Sequence, residues 1–405
     1  MTTGTGITKF IHPNGARLLC LDGGGVRGIV SLIVLDKIMK RVQERKGLKE
    51  VPRPADYFEL AAGTSAGGIT AIMLFRLHMT AEQAIEQYKS LSQEAFRPKI
   101  FGCSVPTFME GFVSNIKFVF KTTRFESTTL DKAIDSVVEK YGLDPDDKAM
   151  KGKAPLYHPR ASKMFACTVA KNRSEAALFR SYRRTTEQAE IITDFTPSLV
   201  DKVLLQGRDE ISIGLTVKAT SAAPTYFPEV VWKPKSVEKS LWKTKGAENG
   251  LVFWDGGLLN NNPINQLWYA RYDVVGPEEP EPPISCVISL GTGYKNVGGQ
   301  RPSLWLRLAN IATSVMDFAT NTDAKAKDFR RHVQDLNGRS EYKYTKYIRL
   351  NPDLKKYNIG LADYTKMGDL EKLTKDYLQE EETQKWLESA VEAICPPIVP
   401  AKSGN

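Results

Sequence analysis

Short apolar runs alternate along the chain with longer segments in which apolar residues recur at helical spacing. Residues 29–47 follow a helical period and close with basic residues and Gly47, which predicts a helix that ends at this glycine. Strand-like apolar runs predict buried strands at 17–22, 56–63, 164–170, 251–255 and 286–291. Strands that alternate with helices indicate a mostly parallel sheet covered by helices.

Further helices follow from the same spacing and from helix-start signals. Residues 69–78 have a helical pattern, Thr80 and Gln83 form a capping box for the helix after them, and Pro263 suits the first turn of another helix. From about residue 300 onward helical patterns dominate, as over 303–319 and 368–394. The C-terminal part is therefore expected to be mainly helical.

Length and cysteine usage narrow the class of protein. A chain of 405 residues fits two domains or one large α/β domain with an extension. No apolar run approaches the roughly 20 residues of a membrane-spanning helix, and the N-terminus lacks the apolar segment of a secretory signal. Cys20, Cys167 and Cys286 lie inside strand-like runs, and no two cysteines have zinc-ligand spacing. We expect buried thiols in a reducing compartment.

The charge is uneven along the chain. The net charge is +9, and the whole excess of basic residues falls within residues 1–250. This favours an anionic partner, with a membrane surface and nucleic acid both open on charge alone. Because no nucleic-acid-binding motif is present, we expect no nucleic-acid partner.

The stretch Gly63-Thr64-Ser65-Ala66-Gly67 lies between a predicted strand and a predicted helix. It fits G-x-S-x-G, the pattern in which a sharp strand-to-helix turn raises a nucleophilic serine above the sheet. The alternative is that the small residues only let two elements pack closely. This stretch alone leaves both interpretations open.

The stretch LDGGGVRG, residues 21–28, is a second glycine-rich strand-to-helix junction. Its glycines satisfy G-x-G-x-x-G, but the acidic residue that binds a ribose is missing where a dinucleotide site needs it, and Asp22 would face the pyrophosphate. Successive glycines also free backbone amides to point at an anion, as an oxyanion hole requires. An anion site is the better interpretation of this loop.

The stretch FWDGGLLNNNP, residues 253–263, carries Asp255 from a buried strand into two glycines. It is either a turn in which the aspartate bonds its own backbone or the source of a base. The four histidines lie in contexts that do not suggest catalysis: His12, His78, His158 and His332. Only His332 follows the Ser–Asp–His order of an α/β-hydrolase. Asp255 is the better candidate base, provided that a dry site raises its basicity.

Together, DGGGVRG, GTSAG and WDGG, in this order, resemble the patatin-like phospholipase family, with ATSAAPTYFP (219–228), FRSY (179–182) and SLGTG (289–293) in support. The resemblance implies a three-layer α/β/α fold with a mostly parallel central sheet, a catalytic domain over 16–300 with a lid or insertion at 96–160, and a mainly helical part over 301–405 packed on it. It also implies a lipid acyl hydrolase that acts on phospholipids or lysophospholipids without metal or cofactor.

Site residues follow from the resemblance position by position. Ser65 is the expected nucleophile, and Asp255 is the expected general base. The expected oxyanion-hole amides are those of Gly23, Gly24, Gly25 and Ala66. Arg27 fills a basic position that either orients a lipid phosphate or braces the loop.

Two other activities remain open beside hydrolysis. Acyl transfer would use the same dyad, with an alcohol or lysolipid as acceptor in place of water. A module that binds an anion or lipid without chemistry would use the glycine loops alone. Labelling of Ser65 by a fluorophosphonate separates this binding module from both enzymes.

The last expectation concerns how the chain meets its substrate. Residues 96–125 hold seven of the 17 phenylalanines together with five basic residues, and form either core or a lid that docks on an anionic membrane. A second group of residues could extend that surface: Trp232, Lys233, Lys235, Lys239, Trp242, Lys243 and Lys245. We expect a cytoplasmic protein that associates peripherally with membranes, and the sequence leaves its oligomeric state unknown.

Overall fold

The computed structural model describes most of the chain, with gaps between the described segments. These segments are residues 15–96, 99–100, 103–104, 127–171, 175–184, 210–224, 226–233, 250–274, 283–294, 322–339, 344–354 and 359–395.

One eight-stranded sheet forms the centre of the molecule. Its strands are β1 (Ala16–Leu21), β2 (Leu60–Thr64), β5 (Met164–Ala170), β6 (Glu175–Arg180), β7 (Val230–Trp232), β8 (Leu251–Asp255), β9 (Ile284–Leu290) and β10 (Lys346–Leu350). A separate two-stranded ribbon pairs β3 (Lys99–Ile100) with β4 (Cys103–Ser104). The strands run in the order β10-β9-β1-β2-β5-β8-β7, with β6 also on β5. Strands β10, β9, β1, β2 and β5 are parallel, whereas β6 and β8 pair antiparallel with β5.

Strand β5 brings two other strand ends together. Strand β6 pairs along β5 from Phe165 to Ala170 and so occupies one whole edge. Strands β2 and β8 must therefore share the opposite edge. Strand β2 runs along the first half and ends with Thr64 opposite Cys167, while β8 arrives from the other direction and ends with Asp255 opposite Thr168. The two strands consequently meet head to head at the middle of β5.

Helices cover both faces of the sheet. They are α1 (Gly28–Lys46), α2 (Ala66–Ala71), α3 (Ala81–Phe96), α4 (Ser127–Tyr141), α5 (Pro145–Met150), α6 (Ile213–Thr220), α7 (Gly257–Asn260), α8 (Ile264–Tyr269), α9 (Asp323–Asn337), α10 (Met367–Tyr377) and α11 (Glu381–Ile394). Alternate residues of β1 face opposite sides, so that Leu19 and Leu21 join a core with α1, whereas Leu18 and Cys20 join a second core with α8 and α9. The three-layer α/β/α fold is thus confirmed.

Several predicted elements are confirmed nearly residue for residue. Strands β5 and β8 have the predicted bounds, and α1 ends at Gly47 in a left-handed conformation with φ 61°. In the capping box, the Gln83 amide donates to the Thr80 hydroxyl at 3.2 Å, and Gln83 Oε1 accepts from the Thr80 amide at 3.0 Å. Helix α8 begins directly after Pro263. These elements rest on local signals, which is why the sequence specified them.

Other elements differ from the expectation. The helix expected over 69–78 is α2 followed by a π-helical turn, Ile72–Arg76. The helix expected over 368–394 is split into α10 and α11 around residues 378–380. The C-terminal part also contributes a strand, β10, that was not predicted, so it completes the sheet as well as packing on it. The helix expected over 303–319 lies outside the described residues.

Among the described segments, no helix combines the length and the apolar character that crossing a bilayer requires.

Candidate active site

The side chains of Ser65 and Asp255 lie in contact where β2 and β8 meet. The Ser65 hydroxyl donates to Asp255 Oδ2 at 2.8 Å. The two residues are 190 positions apart in the chain, and the shared edge of β5 is what brings them together. The arrangement supplies a hydroxyl whose proton can pass directly to a carboxylate.

Ser65 occupies a strained turn between β2 and α2. Its backbone has φ 52° and ψ −120°, a combination that costs a non-glycine residue about 1–3 kcal/mol. The glycines around it are required by close backbone contacts. A Cβ on Gly63 would lie 2.1 Å from the Gly67 carbonyl oxygen, and one on Gly67 would lie 2.2 Å from the Leu21 carbonyl oxygen. This crowding is the physical basis of the G-x-S-x-G spacing.

Asp255 is held by its own turn and is nearly inaccessible. Its side chain is 2% exposed. Oδ1 accepts a hydrogen bond from the Gly257 amide at 2.6 Å, and Oδ2 accepts the bond from Ser65. Burial raises the pKa of Asp255 from 3.8 to about 7, against the lowering effect of these two hydrogen bonds. A carboxylate with this basicity can accept a proton from a serine far better than an exposed one can.

The glycine loop after β1 lines the cleft together with Ser65. The expectation that all three of its glycine amides form the oxyanion hole is corrected for Gly23. The Gly23 amide donates to the Asn261 carbonyl at 2.9 Å, so it cannot also serve an oxyanion. Among the described residues, no acceptor meets the amides of Gly24 and Gly25, and both residues line the cleft with Ser65 and Ala66. Ala66 is the first residue of α2, where an amide has no partner within its helix.

Buried contacts hold this loop in shape. Asp22, at its start, accepts two hydrogen bonds from the Arg349 guanidinium, at 3.0 and 2.6 Å, and both side chains are buried. Thr292 Oγ1 donates to the Gly23 carbonyl at 2.8 Å, and the Tyr88 hydroxyl donates to the Gly25 carbonyl at 2.5 Å. The loop is therefore fixed from the C-terminal strand β10 as well as from its own half of the chain.

Arg27 is buried and does not line the cleft. Its side chain is 4% exposed and is absent from the cleft wall. Burial at this position favours the loop-bracing alternative over direct contact with a lipid phosphate.

The cleft beside Ser65 has a mainly apolar wall. Its apolar side chains come from helices α2, α3 and α4 and from the segments around residues 223–227 and 361: Ile69, Leu91, Ala95, Phe96, Leu130, Ala223, Phe227 and Leu361. Phe96 meets Phe227 edge to face, with ring centroids 5.7 Å apart. For Phe96 the cleft wall, and not an exposed docking face, is the observed position. The other phenylalanines of 96–125 lie outside the described residues.

The described histidines do not approach the reactive pair. His332 is exposed on α9 and packs against Trp268 and Phe329, with ring centroids 5.8 and 6.1 Å away. His158 Nε2 lies 2.7 Å from the Asp144 carboxylate. His78 Nε2 lies 3.3 Å from the Ser162 hydroxyl oxygen, and none of these three histidines lines the cleft. His12 lies outside the described residues.

One group of possible metal ligands occurs in the described part of the chain. Atoms of Asp144, Asp147 and His158 lie within 4.8 Å of one another. However, the Asp147 carboxylate accepts two hydrogen bonds from Arg76 at 2.7 Å, and Asp144 caps α5 and pairs with His158. Hydrogen bonding within the fold accounts for all three groups.

Several residues that shape the site were not singled out from the sequence. Thr220, whose Oγ1 accepts a hydrogen bond from the Ser65 amide at 2.9 Å, and Thr292 lie in ATSAAPTYFP and SLGTG, motifs that carried the resemblance but had no assigned role. Arg349 lies in β10, where a lone arginine in the apolar run YIRL was the one signal to follow. Tyr88 lies on α3 among ordinary helical residues, and no sequence signal marks it.

A protein-family model described as patatin-like phospholipase matches residues 19–268. The calcium-independent phospholipase A2-gamma of Mus musculus is 25% identical over 321 residues, which cover 78% of this chain and 34% of that protein. Patatin-like protein 1 of Arabidopsis thaliana is 24% identical over 380 residues, covering 88% and 79%. The cGAMP-activated phospholipase of Vibrio cholerae is 25% identical over 280 residues, covering 69% and 64%. The chain thus spans about a third of the mammalian relative.

Proposed function

Because the chain belongs to the patatin-like phospholipase family, we propose that it is a lipid acyl hydrolase that cleaves fatty-acyl esters of phospholipids or lysophospholipids. The observation that carries the proposal is the 2.8 Å hydrogen bond from the Ser65 hydroxyl to the buried Asp255 carboxylate, in a pair of residues that lines a mainly apolar cleft. An ester with a long apolar chain fits a wall of this chemistry. Relatives named as phospholipases add support.

In the first half of the proposed reaction, Asp255 takes the Ser65 proton as Oγ attacks the ester carbonyl carbon. The carbonyl oxygen becomes an oxyanion, which the amides of Gly24, Gly25 and Ala66 stabilise through hydrogen bonds. The tetrahedral intermediate collapses when Asp255 returns its proton to the departing alcohol oxygen. A lysophospholipid or glycerol phosphodiester leaves, and the acyl group remains on Ser65.

In the second half, Asp255 takes a proton from water, whose oxygen attacks the acyl-enzyme. The same amides hold the second oxyanion. Collapse of this intermediate releases the fatty acid, and the Asp255 proton returns to Ser65 Oγ. The raised pKa of Asp255, about 7, suits a group that must both accept and donate a proton near neutral pH.

The experiment is product analysis with a mixed phospholipid extract. The purified chain should release free fatty acids and lysophospholipids, measured by mass spectrometry, and a fluorophosphonate should label Ser65. Ser65→Ala is the matched control and should do neither. Labelling without any product would contradict hydrolysis of phospholipids, and the absence of both would favour a binding module. Acylation of an added lysolipid in preference to release of fatty acid would establish acyl transfer.

We further propose that the catalytic unit extends beyond residue 300. Strand β10 completes the sheet, and its Arg349 neutralises Asp22 at the start of the glycine loop. The boundary expected at residue 300 therefore divides one sheet, and a chain shortened to residues 16–300 should not hydrolyse lipid. Full activity from that shortened chain would show that the C-terminal part is separable.

Peripheral association with the anionic cytoplasmic face of a membrane is also a proposal. The positive net charge of +9 and an acyl-lipid substrate support it. Sedimentation with anionic vesicles should weaken as salt shortens the Debye length, and binding to neutral vesicles should be weaker throughout. Equal binding to both kinds of vesicle would remove the electrostatic part of this proposal.

A further inference from the structure

The side chain of Thr220 lies between the ends of β2 and β8. Thr220 is the last residue of α6 and is fully buried. Its Oγ1 accepts a hydrogen bond from the Ser65 backbone amide at 2.9 Å. The same hydroxyl donates to the Cys167 carbonyl, in the middle of β5, at 2.6 Å.

These two bonds fix the direction of the Thr220 hydroxyl. It has one proton, which is donated to Cys167, and a lone pair of its oxygen receives the Ser65 amide. Ser65 is thereby tied through one oxygen to the strand on which β2 and β8 both end. The bond is made at a residue with φ 52°, a strained backbone conformation that persists only where the surrounding structure holds it.

The segment that carries Thr220 also holds the acid. The Gly256 amide donates to the Thr220 carbonyl at 3.3 Å, and the Asp255 amide donates to the Ala222 carbonyl at 3.0 Å. One short segment, residues 220–222, therefore fixes the nucleophile through a side chain and the base through the backbone. Loss of the hydroxyl would release only the nucleophile.

We propose that Thr220 is a positioning residue for Ser65, and this inference rests on the proposed function. Its hydroxyl holds the strained turn so that Ser65 Oγ stays within hydrogen-bonding distance of Asp255 and faces the substrate carbonyl. Thr220 does not line the cleft, whereas its neighbours Ser221 and Ala223 do. Its effect must therefore appear in the rate of attack by Ser65 and not in the binding of lipid.

The test compares substitutions that separate the hydroxyl from the shape of the side chain. Thr220→Val keeps the volume and removes both hydrogen bonds, whereas Thr220→Ser keeps the hydroxyl. Thr216→Val is the matched control, because Thr216 is a buried threonine on the same helix whose hydroxyl bonds only the Ser212 carbonyl, at 2.9 Å. Each variant is assayed for kcat and KM on a soluble ester and for the rate at which a fluorophosphonate labels Ser65.

A misplaced nucleophile lowers the rate of attack, so kcat and the labelling rate of Thr220→Val should both fall by roughly 10²-fold. Its KM should stay within about threefold of wild type, because uniform binding is not altered. Thr220→Ser and Thr216→Val should both stay near wild-type rates. Rates for Thr220→Val equal to wild type, or rates for Thr220→Ser as low as those of Thr220→Val, would overturn the inference.

A variant that fails to fold and a failure of the proposed function can each be distinguished from a failure of the inference about Thr220. Should Thr220→Val lose its cooperative melting transition, Thr220→Ala and Thr220→Ser make the same comparison, since both lack the methyl group and differ only in the hydroxyl. A lower rate for Thr220→Ala supports the inference, and equal rates overturn it. A wild-type protein that hydrolyses no ester overturns the proposed function itself.

Discussion

The ends of β2 and β8 meet at one edge of β5, but they hold their reactive side chains in different ways. Ser65 follows β2 in a strained conformation, is partly exposed, and is tied by its amide to Thr220, 155 positions away. Asp255 ends β8 in ordinary strand geometry, is 2% exposed, and bonds an amide of its own turn.

The difference follows from what each side chain would have to do. A nucleophile must reach an ester from outside, so it cannot gain rigidity from burial and depends on backbone geometry and distant hydrogen bonds. A carboxylate base gains basicity when water is excluded, so burial serves it directly. In the proposed mechanism, Ser65 is positioned by backbone geometry and distant hydrogen bonds, and the basicity of Asp255 is raised by desolvation.

Of the changes considered for Ser65 and Asp255, removal of either reactive group should have the largest effect on activity. We expect Ser65→Ala and Asp255→Asn each to lower kcat by roughly 10⁴-fold or more, because the proposed mechanism needs the two residues to act as one unit. The double variant should be no slower than the slower single variant. Initial rates on a soluble ester, with melting temperatures as the folding control, measure this. Substantial turnover by either single variant would contradict the dyad.

A steric clash in the turn that holds Ser65 should displace this residue without changing Asp255. In Gly63→Ala the new Cβ would lie 2.1 Å from the Gly67 carbonyl oxygen, so the turn must shift. We expect kcat to fall by roughly 10²-fold and the free energy of unfolding to fall by about 1–3 kcal/mol. Gly368→Ala, with nothing within 4 Å of the new Cβ, is the control: kcat should not change, and the free energy of unfolding should not fall, because alanine favours the helix in which Gly368 lies. A fully active Gly63→Ala would show that the turn tolerates displacement.

The pH dependence of kcat/KM tests whether burial raises the basicity of Asp255. With a pKa of about 7, Asp255 is increasingly protonated below neutrality, so kcat/KM should fall about tenfold for each pH unit below that value. A flat profile of kcat/KM between about pH 5 and about pH 8 would mean that desolvation does not set the basicity of Asp255.

The raised pKa of Asp255 makes the stability of the fold decrease with rising pH, whereas it makes activity increase. Folded Asp255 binds its proton more tightly than the unfolded chain does, so its contribution to the free energy of unfolding is fully present at low pH. That contribution is lost as pH rises from about 4 to about 7. Urea denaturation at a series of pH values should show this decline in the wild type and a smaller one in Asp255→Asn.

The smallest effect is expected for a histidine. His332 packs on Trp268 and Phe329 and does not line the cleft, so His332→Ala should keep kcat within about threefold of wild type. Assay on the soluble ester measures it, with melting temperature to detect lost packing. A loss of several orders of magnitude in a folded variant would mean that a triad replaces the dyad.

Sequence patterns predicted the elements whose causes are local. Gly63 is required by the carbonyl of Gly67, four residues along the chain, and the capping box of Thr80 and Gln83 closes within one helical turn. Such features leave a spacing in the chain that can be recognised. The core strands were equally clear because continuous burial leaves a continuous apolar run.

Features decided by distant contacts were not visible in the same way. Three successive glycines look alike in the sequence, but Asn261 takes the amide of Gly23 and leaves those of Gly24 and Gly25. Two of the five residues of strand β10 are charged and helical patterns flank it, so its sequence did not indicate that it pairs with β9. The hydrogen bonds of Thr220 form only in the folded sheet, where β2 and β8 meet, so no local pattern marks this residue.

The Asp22–Arg349 pair joins positions 327 residues apart, and this separation has a consequence for synthesis. A ribosome releases the N-terminal segments first, so the serine and its glycine loop emerge long before the guanidinium that neutralises Asp22. We expect nascent chains to carry a nucleophile without a finished anion site until most of the protein has emerged. Chains stalled before residue 346 should therefore resist fluorophosphonate labelling, whereas chains released after residue 395 should react, and equal reactivity would exclude such a delay.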